Sequence, residues 1–216
     1  MNSDPITPDT AAVFEAPDTG FDILKSAIPN FGTLLAERAR IFNRHRTLDS
    51  FRRKLSGAGD TGEEGRRKGL GQWMTGEYAR AADLLAAHPE DHVAAFTRAK
   101  ALVSLNRPSE ALPIFERLAK AYPDEPRPRG GAIEAALEAD LARNDVEAAR
   151  SNLLAALEQA PASFAASADG RYLAGRAAEL AHDWEGALDH YQAARSLDPS
   201  HRANLFRLAW LSERAA

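Results

Sequence analysis

The chain has 216 residues, 44% of them hydrophobic and 27% charged, with a formal net charge of −4; this is the composition of a protein that buries a core, and so small a charge points to no polyanionic or polycationic partner. Cysteine is absent, which excludes disulfides and thiolate metal sites. No apolar run has the length of a membrane span, and the amino terminus lacks the basic start and apolar centre of a secretory signal, so a cytoplasmic protein is expected.

Residues 1–20 hold Pro5, Pro8 and Pro17 among Asp4, Asp9, Glu15 and Asp18, without lysine or arginine, and predict a flexible acidic tail. Residues 21–56 predict a basic amphipathic helical segment, with one long helix over about 30–56. Leu34, Ile41, Leu48 and Leu55 recur there every seven positions, and Phe51 extends the stripe. Between Glu37 and Leu55 stand Arg38, Arg40, Arg44, Arg46, Arg52, Arg53 and Lys54, opposed only by Glu37 and Asp49. Two readings follow. The stripe docks on the first repeat as a cap with its arginines in water, or the helix (37–55) forms a coiled coil, meets a partner, or binds an anionic surface, nucleic acid or phospholipid, with salt-sensitive affinity. Residues 57–65 read as a glycine-rich linker. Gly57, Gly59 and Gly62 match a dinucleotide fingerprint, but a basic helix stands where that fold needs a strand.

From residue 66 to 216 the chain repeats. Ala111, Ala149 and Ala187 stand 38 residues apart, each followed one turn later by Phe115, Leu153 or Tyr191 and then by Pro123, Pro161 or Pro199. Polar breaks, Asn106-Arg107, Asn144-Asp145 and His182-Asp183, precede each alanine. The unit is therefore helix, turn, helix, proline, with alanine allowing close approach and proline ending the second helix. An earlier degenerate unit begins near Gly62, with Gly76 in its turn and a second helix about one turn short. The units run about 62–91, 92–129, 130–167 and 168–201, with a half unit over 202–216.

These units resemble tetratricopeptide repeats (TPR), whose pattern ends in a small residue, a large apolar one a turn later, and a proline. The resemblance implies an all-α fold, a right-handed α-solenoid of antiparallel helix pairs, here with an added N-terminal helix. The family period is about 34 residues; the surplus here falls at Pro126–Arg129 and Phe164–Ser167 and either lengthens a loop or adds a turn to the next helix.

No catalytic site is expected. His88 and His92 have zinc-helix spacing, but Pro89 between them places both in a loop. His182, Asp183, Asp189 and His190 surround a turn and read as surface residues rather than a metal site. No metal, cofactor or enzymatic activity is predicted. The resemblance instead implies a concave groove lined by the first helix of each unit, with partner-facing positions at Phe96 and Lys100, Glu134 and Glu138, Tyr172 and Arg176, and Phe206 and Trp210. Rings backed by charge make peptide anchors, although the same rings also suit packing between helices. Phe96, Thr97, Gly131, Ala135 and Asp169 stand where some family members place a polar carboxylate clamp, which disfavours that specialisation.

The last helix carries Leu205, Phe206, Leu208, Ala209, Trp210 and Leu211 and needs cover, from further repeats or by self-association. The expected function is a noncatalytic scaffold or adaptor that binds a peptide or partner protein in its groove. The alternative is a targeting or regulatory region of a longer protein whose effector, a transferase or nucleic-acid-binding domain, lies beyond Ala216.

Overall fold

The computed structural model describes residues 23, 28, 30–42, 45–199 and 201–214; the expected tail, 1–20, lies outside them. The described residues contain twelve helices and no strand. Helix α1 (Phe31–Phe42) opens on Asn30, whose Oδ1 accepts the Thr33 amide hydrogen bond at 2.9 Å, and α2 (His45–Gly57) follows. The helix expected over 30–56 is thus described as two, with 43 and 44 outside the described residues. Its apolar stripe is buried at Leu34, Ile41, Phe51 and Leu55, while Arg52, Arg53 and Lys54 are exposed.

The connection to α3 (Gly62–Thr75) is 58–61, shorter than the 57–65 linker the glycines predict, because Gly62 to Gly65 already belong to the helix. It is held in place: Lys68 Nζ donates to the Ala58 carbonyl at 2.6 Å and pairs with Asp60 at 2.6 Å. The Gly59 amide, the group a bound phosphate would use in a dinucleotide turn, donates to Glu64 Oε2 at 3.1 Å. Helix α2 covers the outer end of the first pair, since Phe51 and Leu55 fill the space above Gly71, where an added Cβ would come within 2.3 Å of Leu55.

The pairs then follow in order: α3 with α4 (Tyr78–Leu85), α5 (His92–Ser104) with α6 (Pro108–Ala121), α7 (Pro126–Ala142) with α8 (Val146–Glu158), and, after the short α9 (Ala162–Ala165), α10 (Ala168–Leu180) with α11 (Trp184–Leu197). Helix α12 (Arg202–Arg214) packs on α11. The result is an all-α solenoid. Side chains of Asp91, Asp145, Ser167 and Asp183 cap α5, α8, α10 and α11 by accepting a backbone amide inside the first turn, and Pro108 and Pro126 take first-turn positions that need no amide. The two surplus segments resolve differently. Pro126–Arg129 adds a turn to the start of α7, so that helix begins four residues before the expected unit, whereas Phe164–Ser167 completes α9 and caps α10.

Each pair turns through one left-handed residue: Gly76 at φ 90°, Asn106 at 58°, Asn144 at 60° and His182 at 59°. This explains the polar breaks, because glycine and asparagine enter that region most readily and a β-branched side chain does so at a cost of about 1–2 kcal/mol. His182→Val is accordingly expected to lower unfolding free energy by about 1–2 kcal/mol, and His182→Asn to leave it nearly unchanged, as read from thermal unfolding.

The periodic alanines are fully buried, and the larger residue one turn on fills space across the seam. Phe115 lies over Gly131 of the next unit and Tyr191 over Gly175 of its own, where an added Cβ would approach the rings to 2.6 and 2.5 Å. The glycines are thus sockets for the bulky members of the repeat.

Candidate functional site

Phe96, Glu134 and Tyr172 occupy equivalent places on α5, α7 and α10, and Lys100, Glu138 and Arg176 stand one turn further along the same helices. Residues four apart share a helix face, so six of the eight sequence-predicted groove residues form two rows on one side of the stack. The structure joins five of them. Lys100 Nζ donates to Glu134 Oε2 at 2.9 Å, and Tyr172 Oη donates to Glu134 Oε1 at 3.2 Å. Arg176 Nη1 donates to Tyr172 Oη at 3.3 Å and to Glu138 Oε1 at 2.8 Å. Glu134, Tyr172 and Arg176 are buried, and the Arg176 Nε is buried without a hydrogen-bond partner among the described residues.

Burial alone would raise the Glu134 carboxyl pKa, but the Lys100 ammonium together with more distant positive charge, Arg176 included, holds the group below its ordinary range. The same balance acts on Lys100 in reverse: burial lowers its pKa, and the Glu134 carboxylate with a smaller contribution from Asp169 leaves it raised. Burial, then the facing Glu134 charge, pushes the Tyr172 phenol up, so it serves as a hydrogen-bond donor.

Phe96 stands outside this ladder. Its ring packs edge-on to Phe115 at 5.6 Å and lies 4.3 Å from Phe31 of α1. Phe31 also meets His92 at 5.6 Å, and His92 lies 5.2 Å from Tyr122. His92 is the first residue of α5 rather than a loop residue, because Asp91 rather than Pro89 sets the helix start. Further along α1, the Arg38 guanidinium sits 4.2 Å over the Trp73 ring and donates to Tyr78 Oη at 3.4 Å. Arg202 of α12 donates to the same oxygen at 3.2 Å. Sequence reasoning missed this crossing of α1; its signal was Phe31, Leu34 and Arg38 at i, i+3 and i+7.

The remaining predicted residues sit differently. Phe206 is 68% exposed and Leu205 37%, while Trp210 is half-buried with its ring 6.4 Å from Trp184. The opposite side of α12 is buried at Asn204, Leu208 and Leu211, with Asn204 Nδ2 donating to the Tyr191 carbonyl at 2.9 Å. His201, also missed, pairs with Asp169 at 3.4 Å and lies 4.9 Å from the Tyr172 ring.

Clefts of about 220 and 420 Å³ lie side by side among α6, α7 and α8 and share Glu116, Ala132, Ile133 and Ala156; neither includes a sequence-predicted site residue. Among the described residues no three His, Asp or Glu side chains are arranged to hold a metal, and no helix is long and apolar enough to cross a membrane. His182 stands at its turn with its ring 5.4 Å from Trp184.

No protein-family model matches the sequence, and no curated protein matches it. Solved structures with a similar arrangement include YrrB, a TPR protein with an unusual peptide-binding site, 21% identical over 84% of this chain and 91% of that one at a TM-score of 0.45. Another is the MamA RS-1 ArsTM double mutant, 16% identical over 78% of this chain and 94% of that one at a TM-score of 0.46. It is the chain's own 38-residue period and its paired, capped helices that make it an all-α, TPR-like solenoid.

Proposed function

We propose that the chain is a noncatalytic interaction scaffold that holds a protein or peptide segment along the face shared by α5, α7, α10 and α12. One observation carries this reading: that face already holds a helix, α1, whose Phe31 ring lies against Phe96, one of the positions proposed to face a partner. At the other end Phe206 is 68% exposed, an aromatic of the kind that anchors interfaces. The ladder between them forms the floor of this face, its side chains hydrogen-bonded to one another. Affinity capture with wild type and Phe206→Ala tests the proposal. Partner recovery is expected to fall severalfold while stability stays within about 0.5 kcal/mol, the usual effect of an exposed substitution; equal recovery of every partner would sink the groove reading. A second reading, in which α12 mates with further repeats or another copy, draws on the exposure of Leu205 and Phe206. Light scattering that shows a Phe206-dependent dimer would favour it.

A further inference from the structure

A helix that merely caps a solenoid covers its end. Here α2 already does so, with Phe51 and Leu55 seated over Gly71, whereas α1 crosses the first helices of two successive pairs. It does so in the manner of a ligand. Phe31, Leu34 and Arg38 fall at i, i+3 and i+7, the spacing by which an amphipathic helix fills a groove, and all three are buried. Phe31 inserts against Phe96 and His92, Leu34 is fully enclosed, and Arg38 lies on Trp73 and reaches Tyr78.

The polar end of this seat is a shared hydrogen bond. Arg38 and Arg202 both donate to the one phenol oxygen of Tyr78. Two guanidinium groups share one neutral acceptor, so this contact holds an arginine-bearing helix less firmly than an ion pair would, α1 and a competing helix alike.

We infer that the surface formed by Trp73, Tyr78, His92 and Phe96 is a helix-binding seat, that α1 occupies it in the free chain, and that a partner helix with an aromatic, leucine and arginine at i, i+3 and i+7 displaces α1. This deepens the proposed groove function, on which it rests, by naming the class of partner and the element that excludes it. Because α1 is tethered, it competes as though present at about millimolar concentration. A partner must exceed that, or act after α1 has been released.

The chain supplies its own probe. A fluorescein-labelled peptide of residues 28–44 is titrated by anisotropy into full-length wild type, Phe31→Ala/Arg38→Ala and Arg38→Ala, with folding of each checked by circular dichroism. Unseating α1 in the double variant is expected to tighten peptide binding at least about tenfold, by removing the tethered competitor, and Arg38→Ala alone gives a smaller gain while keeping the apolar seat filled. A peptide bearing the same two alanines is expected not to bind. Equal affinity for wild type and both variants, or equal binding of the two peptides, overturns the inference. If the peptide behaves as expected but Phe206→Ala leaves partner capture untouched, the seat stands and the wider groove reading falls. If Phe206→Ala abolishes capture but the peptides bind equally, the groove reading stands and the seat falls.

Discussion

Glu134→Ala is expected to destabilise the protein by about 3 kcal/mol, the lower end of the ~3–5 kcal/mol seen when one member of a buried charge pair is removed. The carboxylate accepts from Lys100 and Tyr172, so its loss strands an ammonium and a buried phenol, and Arg176 then holds a Tyr172 hydroxyl that has no acceptor. The lower end applies because the Lys100 side chain is 28% exposed and recovers some hydration. Urea denaturation with an unchanged m-value would measure the loss, and Lys100→Met/Glu134→Leu is expected to recover part of it, since the stranded ammonium is gone while the Tyr172 hydroxyl still lacks its acceptor. The pH dependence follows from the direction of the shift. The folded-state pKa of Glu134 lies below its ordinary 4.5, so its contribution is complete above that value and fades as pH falls towards the depressed one. Lys100 is raised above 10.5, so its contribution is complete below that value and is lost only at higher pH. Wild type should therefore lose stability below about pH 4.5 more steeply than the apolar double variant.

Phe115→Ala is expected to cost about 3–5 kcal/mol, the range for deleting a buried aromatic ring and leaving its cavity. The ring is fully buried, lies edge-on to Phe96, and occupies the space above Gly131, so it joins three helices of two repeats. The glycine gives the sharper test. Gly131→Ala in wild type places a Cβ about 2.6 Å from the ring and should destabilise. In the Phe115→Ala background the clash is gone, and the same change should stabilise by about 0.5–1 kcal/mol through helix propensity. A double-mutant cycle by chemical denaturation would read the reversal of sign.

Much of this architecture is legible in the sequence because it repeats. Ala111, Ala149 and Ala187, their larger neighbours and the prolines beyond them mark the helix pairs through the chemistry of close approach and termination. The left-handed turn residues are visible too, as glycine, asparagine or histidine in each polar break, although their backbone conformation is not. The ladder is half visible. Tyr172 with Glu134, and Arg176 with Glu138, pair at the repeat interval, but in the sequence each reads as a separate partner-facing side chain, and only the packed helices bring them within hydrogen-bonding distance. The path of α1 is not legible. Phe31 meets Phe96, and Tyr78 meets both Arg38 and Arg202, through contacts between segments far apart in sequence that no period connects. For the same reason the N-terminal segment's heptad stripe foretells burial without saying what buries it.

Site-specific photocrosslinking tests directly whether a partner binds on the proposed face. A benzophenone amino acid is placed either at Phe206, on α12, or at Leu154, an exposed apolar residue on α8, the second helix of its pair. Irradiation in cells is expected to yield a discrete partner adduct from position 206 and none from position 154. An adduct from 154 alone, or from neither position, would contradict the assignment of this face as the binding surface.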